Sequence, residues 1–125
     1  MTIKIRRSPV VLGALASALV GTTLVATAAY AEDQTCHGGV CVKVGREGVW
    51  VDFIQGYHHG GSGPWQGKID LTREGYSTIQ GAVGTPPPPV FQRETLRYRP
   101  GARICALGFE YPGWKGRGEA CVYLR

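Results

Sequence analysis

After residue 31 the chain holds only two serines, Ser62 and Ser77, and neither stands in a Gly-x-Ser-x-Gly turn. The exposed serine nucleophile of that strand-to-helix motif is therefore missing. No Cys-x-x-Cys pair occurs, so the ligand spacing of a structural zinc site is missing too. No glycine run has the spacing that cradles a phosphate; the glycines scatter at positions that read as turns. No histidine follows His59. Nor does any stretch after residue 31 keep a helical period, because Gly and Pro interrupt it every few residues. These absences remove the common nucleophilic, phosphate-binding and metal motifs, and with them an α-helical fold.

What is present begins with a leader. Lys4, Arg6 and Arg7 form a basic start, and residues 10–27 carry no charge. Ala29-Tyr30-Ala31 then puts small residues at both positions a signal peptidase reads, and Glu32 and Asp33 follow. Basic, apolar, small and acidic is the order of a secretory signal. The expected cut falls after Ala31, giving a signal peptide over 1–31 and a single small secreted β domain over 32–125. The apolar stretch is rich in Ala, Thr and Gly rather than Leu and Ile, which favours a cleaved signal over a membrane anchor. Arg6-Arg7 is followed by Ser8-Pro9, a weak basis for twin-arginine export. The expected localisation is extracellular, with no membrane attachment once the leader is gone.

Cleavage changes the charge. The chain has 14 basic and 9 acidic residues, net +5. Three basic residues and no acidic ones lie in 1–31, leaving 11 against 9, or about +2. A charge this small argues against a nucleic-acid partner.

All four cysteines, Cys36, Cys41, Cys105 and Cys121, lie beyond the leader. An even count in an exported chain reads as two disulfides. Local pairing, Cys36–Cys41 with Cys105–Cys121, is the favoured connectivity. The first loop runs through His37-Gly38-Gly39-Val40, whose glycines permit a tight turn. Cross pairing would close longer loops and stays open as the alternative.

Short runs rich in Val, Ile, Phe, Tyr and Trp alternate between turn signals. They predict strands over 40–46, 49–55, 65–71, 75–82, 90–99, 102–110 and 119–124. The four prolines Pro86 to Pro89 cannot sit inside a sheet and read as a connector. The fold class is all-β: a small disulfide-stapled sandwich or barrel of six to seven short antiparallel strands.

Candidate functional residues fall in two groups. Loops 56–64 and 111–118 carry Tyr57, His58, His59, Tyr111 and Trp114, and Trp65 borders the first. Exposed rings on loops stack on sugars and anchor protein partners. Adjacent His58 and His59 point in opposite directions on an extended chain, so no metal site is expected from them. The second group is basic: Arg93, Arg97 and Arg99 alternate onto one strand face, with Arg103 just past a turn.

The run Val90-Phe91-Gln92-Arg93-Glu94, with Pro100-Gly101-Ala102-Arg103-Ile104-Cys105, superficially resembles pieces of small secreted actinobacterial ribonucleases. The likeness covers about a dozen residues, and that family's general acid, a downstream His, has no counterpart after His59. The Gly-, Ala-, Arg- and Pro-heavy composition resembles that of secreted proteins from GC-rich bacteria such as actinomycetes. The expected function is that of a non-enzymatic binding module for an extracellular protein or carbohydrate, possible roles including inhibition of a secreted enzyme. No cofactor and a monomeric state are expected. A small extracellular hydrolase and an envelope-associated structural protein are the alternatives.

Overall fold

A computed structural model describes residues 29–125, so the leader reading falls almost wholly outside the described residues. Eight strands follow in order: β1 (Tyr30–His37), β2 (Val40–Glu47), β3 (Trp50–His58), β4 (Gly67–Arg73), β5 (Tyr76–Ile79), β6 (Val90–Arg97), β7 (Arg103–Glu110) and β8 (Lys115–Tyr123). A short 3-10 turn at Gly60–Ser62 lies between β3 and β4, and the described residues contain no α-helix.

The strands form two antiparallel sheets of four, ordered β1-β2-β3-β6 and β5-β4-β7-β8. Both inner faces supply the core, so the architecture is a sandwich. Alternation explains most of it. Val40, Val42 and Val44 of β2 point inward with Ile69 and Leu71 of β4, Ile104 and Ala106 of β7, and Ala120 and Val122 of β8.

Eight strands replace the expected six to seven because β1 was not foreseen. Its sequence, YAEDQTCH, has no apolar face, and none of its residues is fully buried. It forms by pairing along the whole of β2, from Tyr30 opposite Glu47 to His37 opposite Val40. The intervening Gly38 and Gly39 have φ of 64° and 97°, the left-handed geometry a two-residue hairpin needs. β1 begins at Tyr30, so the expected cut after Ala31 would take its first two residues.

β3 departs from simple alternation. The register slips between Val51 and Phe53, and β2 slips alongside it between Gly45 and Arg46. Val51 and Ile54 therefore both face the core, and Asp52 and Phe53 both leave it. Strict alternation would keep Val49, Val51 and Phe53 on one face; instead Val49 packs partly buried against the core, Val51 is in it, and Phe53 is not part of it.

Both disulfides follow the local pairing. Cys36 bonds Cys41 and Cys105 bonds Cys121. Each joins residues directly opposite in adjacent strands, one on β1–β2 and one on β7–β8.

Candidate functional site

Three connections meet at one end of the sandwich: the Gly38-Gly39 turn, the segment from His58 to Gln66, and the turn between β7 and β8. The N–H of His59 donates to the Gly39 carbonyl at 2.9 Å, and that of Tyr111 to Gln66 at 2.8 Å. Gly38 and Gly118 lie so close that neither has room for a side chain. The loops chosen from sequence thus share one end, but they do not present all their rings to solvent.

Trp65 is the centre of this end, and it is only 4% exposed. Its ring packs beneath Gly108, edge-on to His58 at 5.9 Å, with the Arg117 guanidinium 5.4 Å above it. Arg117 reaches it because β8 slips register there, placing Gly116 opposite Phe109 and Gly118 opposite Gly108. The Trp65 indole N–H has no hydrogen-bond partner and sits against Gly39 and Ser62. Trp65 is thus a packing residue, which corrects its placement among the ligand-contacting rings.

The histidines are held in local structure. Nε2 of His58 lies 2.7 Å from the Gly63 carbonyl oxygen. A carbonyl only accepts, so Nε2 carries a proton and donates it. Ser62 Oγ stands 3.4 Å from that Nε2 but donates its own hydrogen to the His59 carbonyl at 2.7 Å. Ser62 and His58 are therefore not a nucleophile and its base, which would require a free lone pair on Nε2. His59 is exposed, and its Nδ1 accepts from the Gly61 N–H at 3.1 Å, capping the 3-10 turn. His59 also lies near Cys36 and Cys41, and Glu119 near Cys105 and Cys121. Each of those cysteines is in a disulfide and offers no thiolate to a metal. Tyr57, half-buried, stands opposite Cys41 on the outer face of the first sheet, beyond the loop proper.

Tyr111 and Trp114 do form a surface. β8 starts at Lys115, four residues earlier than expected, so the turn shrinks to Tyr111–Trp114. The two rings meet edge to face at 5.4 Å and remain 47% and 41% exposed. The Lys68 ammonium lies 5.4 Å over Trp114 and 5.8 Å from Phe109, extending the patch across the outer face of the second sheet. Trp114 has φ of 50°, the only positive φ outside glycine among the described residues.

The basic group divides. Arg93 and Arg97 lie on the outer face of β6, Arg93 4.0 Å from Asp52. The strand ends at Arg97, and Tyr98 turns into the core. Arg99 is ion-paired to Glu74, whose other oxygen accepts the Arg103 backbone N–H at 3.0 Å. Arg103 belongs to β7 of the opposite sheet. The expected four-arginine face is therefore two separate pairs.

Sequence reasoning passed over one surface. On the outer face of the first sheet, Phe53 and Phe91 stack at 5.5 Å, and Trp50 and Phe91 are each 52% exposed. Trp50 stands on the outer sheet face rather than in the core. No family model, curated protein or solved structure matches the chain.

Proposed function

We propose that the chain is a secreted, non-enzymatic binding module that meets an extracellular protein or glycan through the Tyr111–Trp114 turn. The observation that carries this reading is the Trp114 backbone. A bulky residue at positive φ costs on the order of 1 kcal/mol, and turns normally assign that position to Gly or Asn. Burial does not offset the cost here, because the ring stays substantially exposed. A strained, exposed indole beside a second exposed ring is an arrangement expected of a contact surface. The two disulfides support an extracellular setting, and among the described residues no helix is long and apolar enough to cross a membrane. The engaged hydrogens of Ser62 and His58 support the non-enzymatic reading.

The test is retention of the secreted protein on insoluble polysaccharides and on immobilised secreted proteases. Wild type is expected to be retained by at least one member of the panel, with Trp114→Gly lost from it. Retention unchanged in Trp114→Gly removes this turn from the contact.

A further inference from the structure

On the sheet opposite the Trp114 patch, at the end bearing the β2–β3 turn, lies a trough of about 300 Å³ lined by Tyr30, Glu47, Trp50, Val51, Asp52 and Thr95. It crosses all four strands of the first sheet. The adjacent register slips in β2 and β3 account for its chemistry. They turn both Asp52 and Phe53 outward, and Phe53 and the Tyr30 hydroxyl lie over Gly45 of β2. Bulges are a common way to re-aim side chains at binding surfaces.

We propose that this trough is a second binding site, for a neutral sugar ring of a glycan. The exposed indole of Trp50 offers a flat apolar face for the C–H side of a pyranose. Carboxylates of Glu47 and Asp52 and the hydroxyl of Thr95 line the same trough, with Arg93 beside Asp52, and they supply acceptors and donors for sugar hydroxyls. Charge favours a neutral occupant. Glu32, Glu47 and Asp52 share this face with Arg93 and Arg97, so neither an anion nor a cation meets a field of one sign. Its volume is at the small end for ligand sites, matching one ring with the rest of a chain passing over the sheet. Tyr30 forms a wall in the described chain. The remaining lining residues all follow Ala31, so the site does not depend on Tyr30 surviving processing.

The trough and the Trp114 turn are at opposite ends and on opposite sheets, so either site can fail alone. The chain has three tryptophans, which give three separable indole N–H signals in NMR. Titrating the secreted protein with cellohexaose, xylohexaose and chitohexaose is expected to shift the Trp50 signal with at least one of them and to leave that of Trp65 in place. Trp50→Ala is expected to weaken binding by about tenfold and Asp52→Ala by about threefold. The Trp114 signal, followed in the same titration, reports the other site separately. Three results would overturn the proposal. One is a Trp50 signal that stays fixed with every oligosaccharide to about 10 mM. Another is a Trp50 shift produced only by spermine or heparin. The third is concentration-dependent broadening of Trp50 without sugar, which would assign the face to self-association.

Discussion

Arg73 of one sheet reaches Glu94 of the other, with Nη1 3.0 Å from each carboxylate oxygen. Tyr98 donates its hydroxyl hydrogen to the same carboxylate at 2.8 Å. One buried acid thus ties the last residue of β4 to β6, sheet to sheet. Removing Arg73 would leave that carboxylate without its counter-charge. Arg73→Met is expected to cost about 3 kcal/mol, read as a lowered midpoint in urea unfolding. Arg93→Met, which loses only an exposed contact to Asp52, is expected to change stability by less than about 0.5 kcal/mol.

Tyr98 also gives the fold a dependence on alkaline pH. Burial, then the hydrogen bond and charge of Glu94, push its phenol well above the ordinary 10.0. A raised folded-state value means that protonation stabilises the native state. That contribution is complete below pH 10 and is lost as pH rises through the folded-state value. Phenolate absorbance during alkaline titration should therefore show a late phase belonging to Tyr98, with unfolding accompanying it. In Tyr98→Phe that late phase should disappear. An unchanged titration would contradict the buried hydrogen bond.

The two staples should differ in strength. Cys105–Cys121 closes a separation of 16 residues and Cys36–Cys41 one of 5. On chain entropy their removal costs about 3 and about 2 kcal/mol respectively. Paired Cys→Ser variants followed by thermal unfolding would check the order as well as the size.

Two tryptophans both chosen from sequence as candidate ligand contacts should behave oppositely. Trp65→Ala empties a core position and should cost about 3 kcal/mol or more. Trp114→Gly relieves a strained φ while losing ring contacts with Tyr111 and Lys68, so stability should stay within about 1 kcal/mol. Denaturant midpoints of the two variants measure the contrast directly.

That contrast shows where sequence pattern was informative. Alternation located seven of the strands, because a half-buried strand must place apolar residues two apart. It also put Glu94 and Tyr98 on one face, and both turn inward, where Glu94 meets Arg73 and Tyr98. β1 escaped because a polar edge strand owes its existence to its neighbour and carries no apolar signal of its own. The register slip in β3 defeated the pattern from Asp52 onward, and with it the assignment of Phe53. Trp65 and Trp114 both sit beside turns, and only the packing of distant Gly108 and Arg117 against Trp65 separates them. The arginine group failed at Tyr98, where the chain leaves the strand for the core. For the outer face of the first sheet, a signal did exist in Trp50 and Phe91, large rings on alternating strands.

The leader reading has its own check. N-terminal sequencing of protein collected from culture medium should begin at Glu32. A start at or before Tyr30 would keep all of β1 and place the processing point elsewhere.

The measurement closest to the central claim is incubation of the purified protein with a panel of proteases, polysaccharides and RNA, scoring both retention and turnover. A binding module is retained by a protein or glycan of the panel, turns none over, and in Trp114→Gly is no longer retained by at least one member that holds the wild type. Turnover of any member that disappears in His58→Ala or His59→Ala would contradict the account and return the chain to the hydrolases.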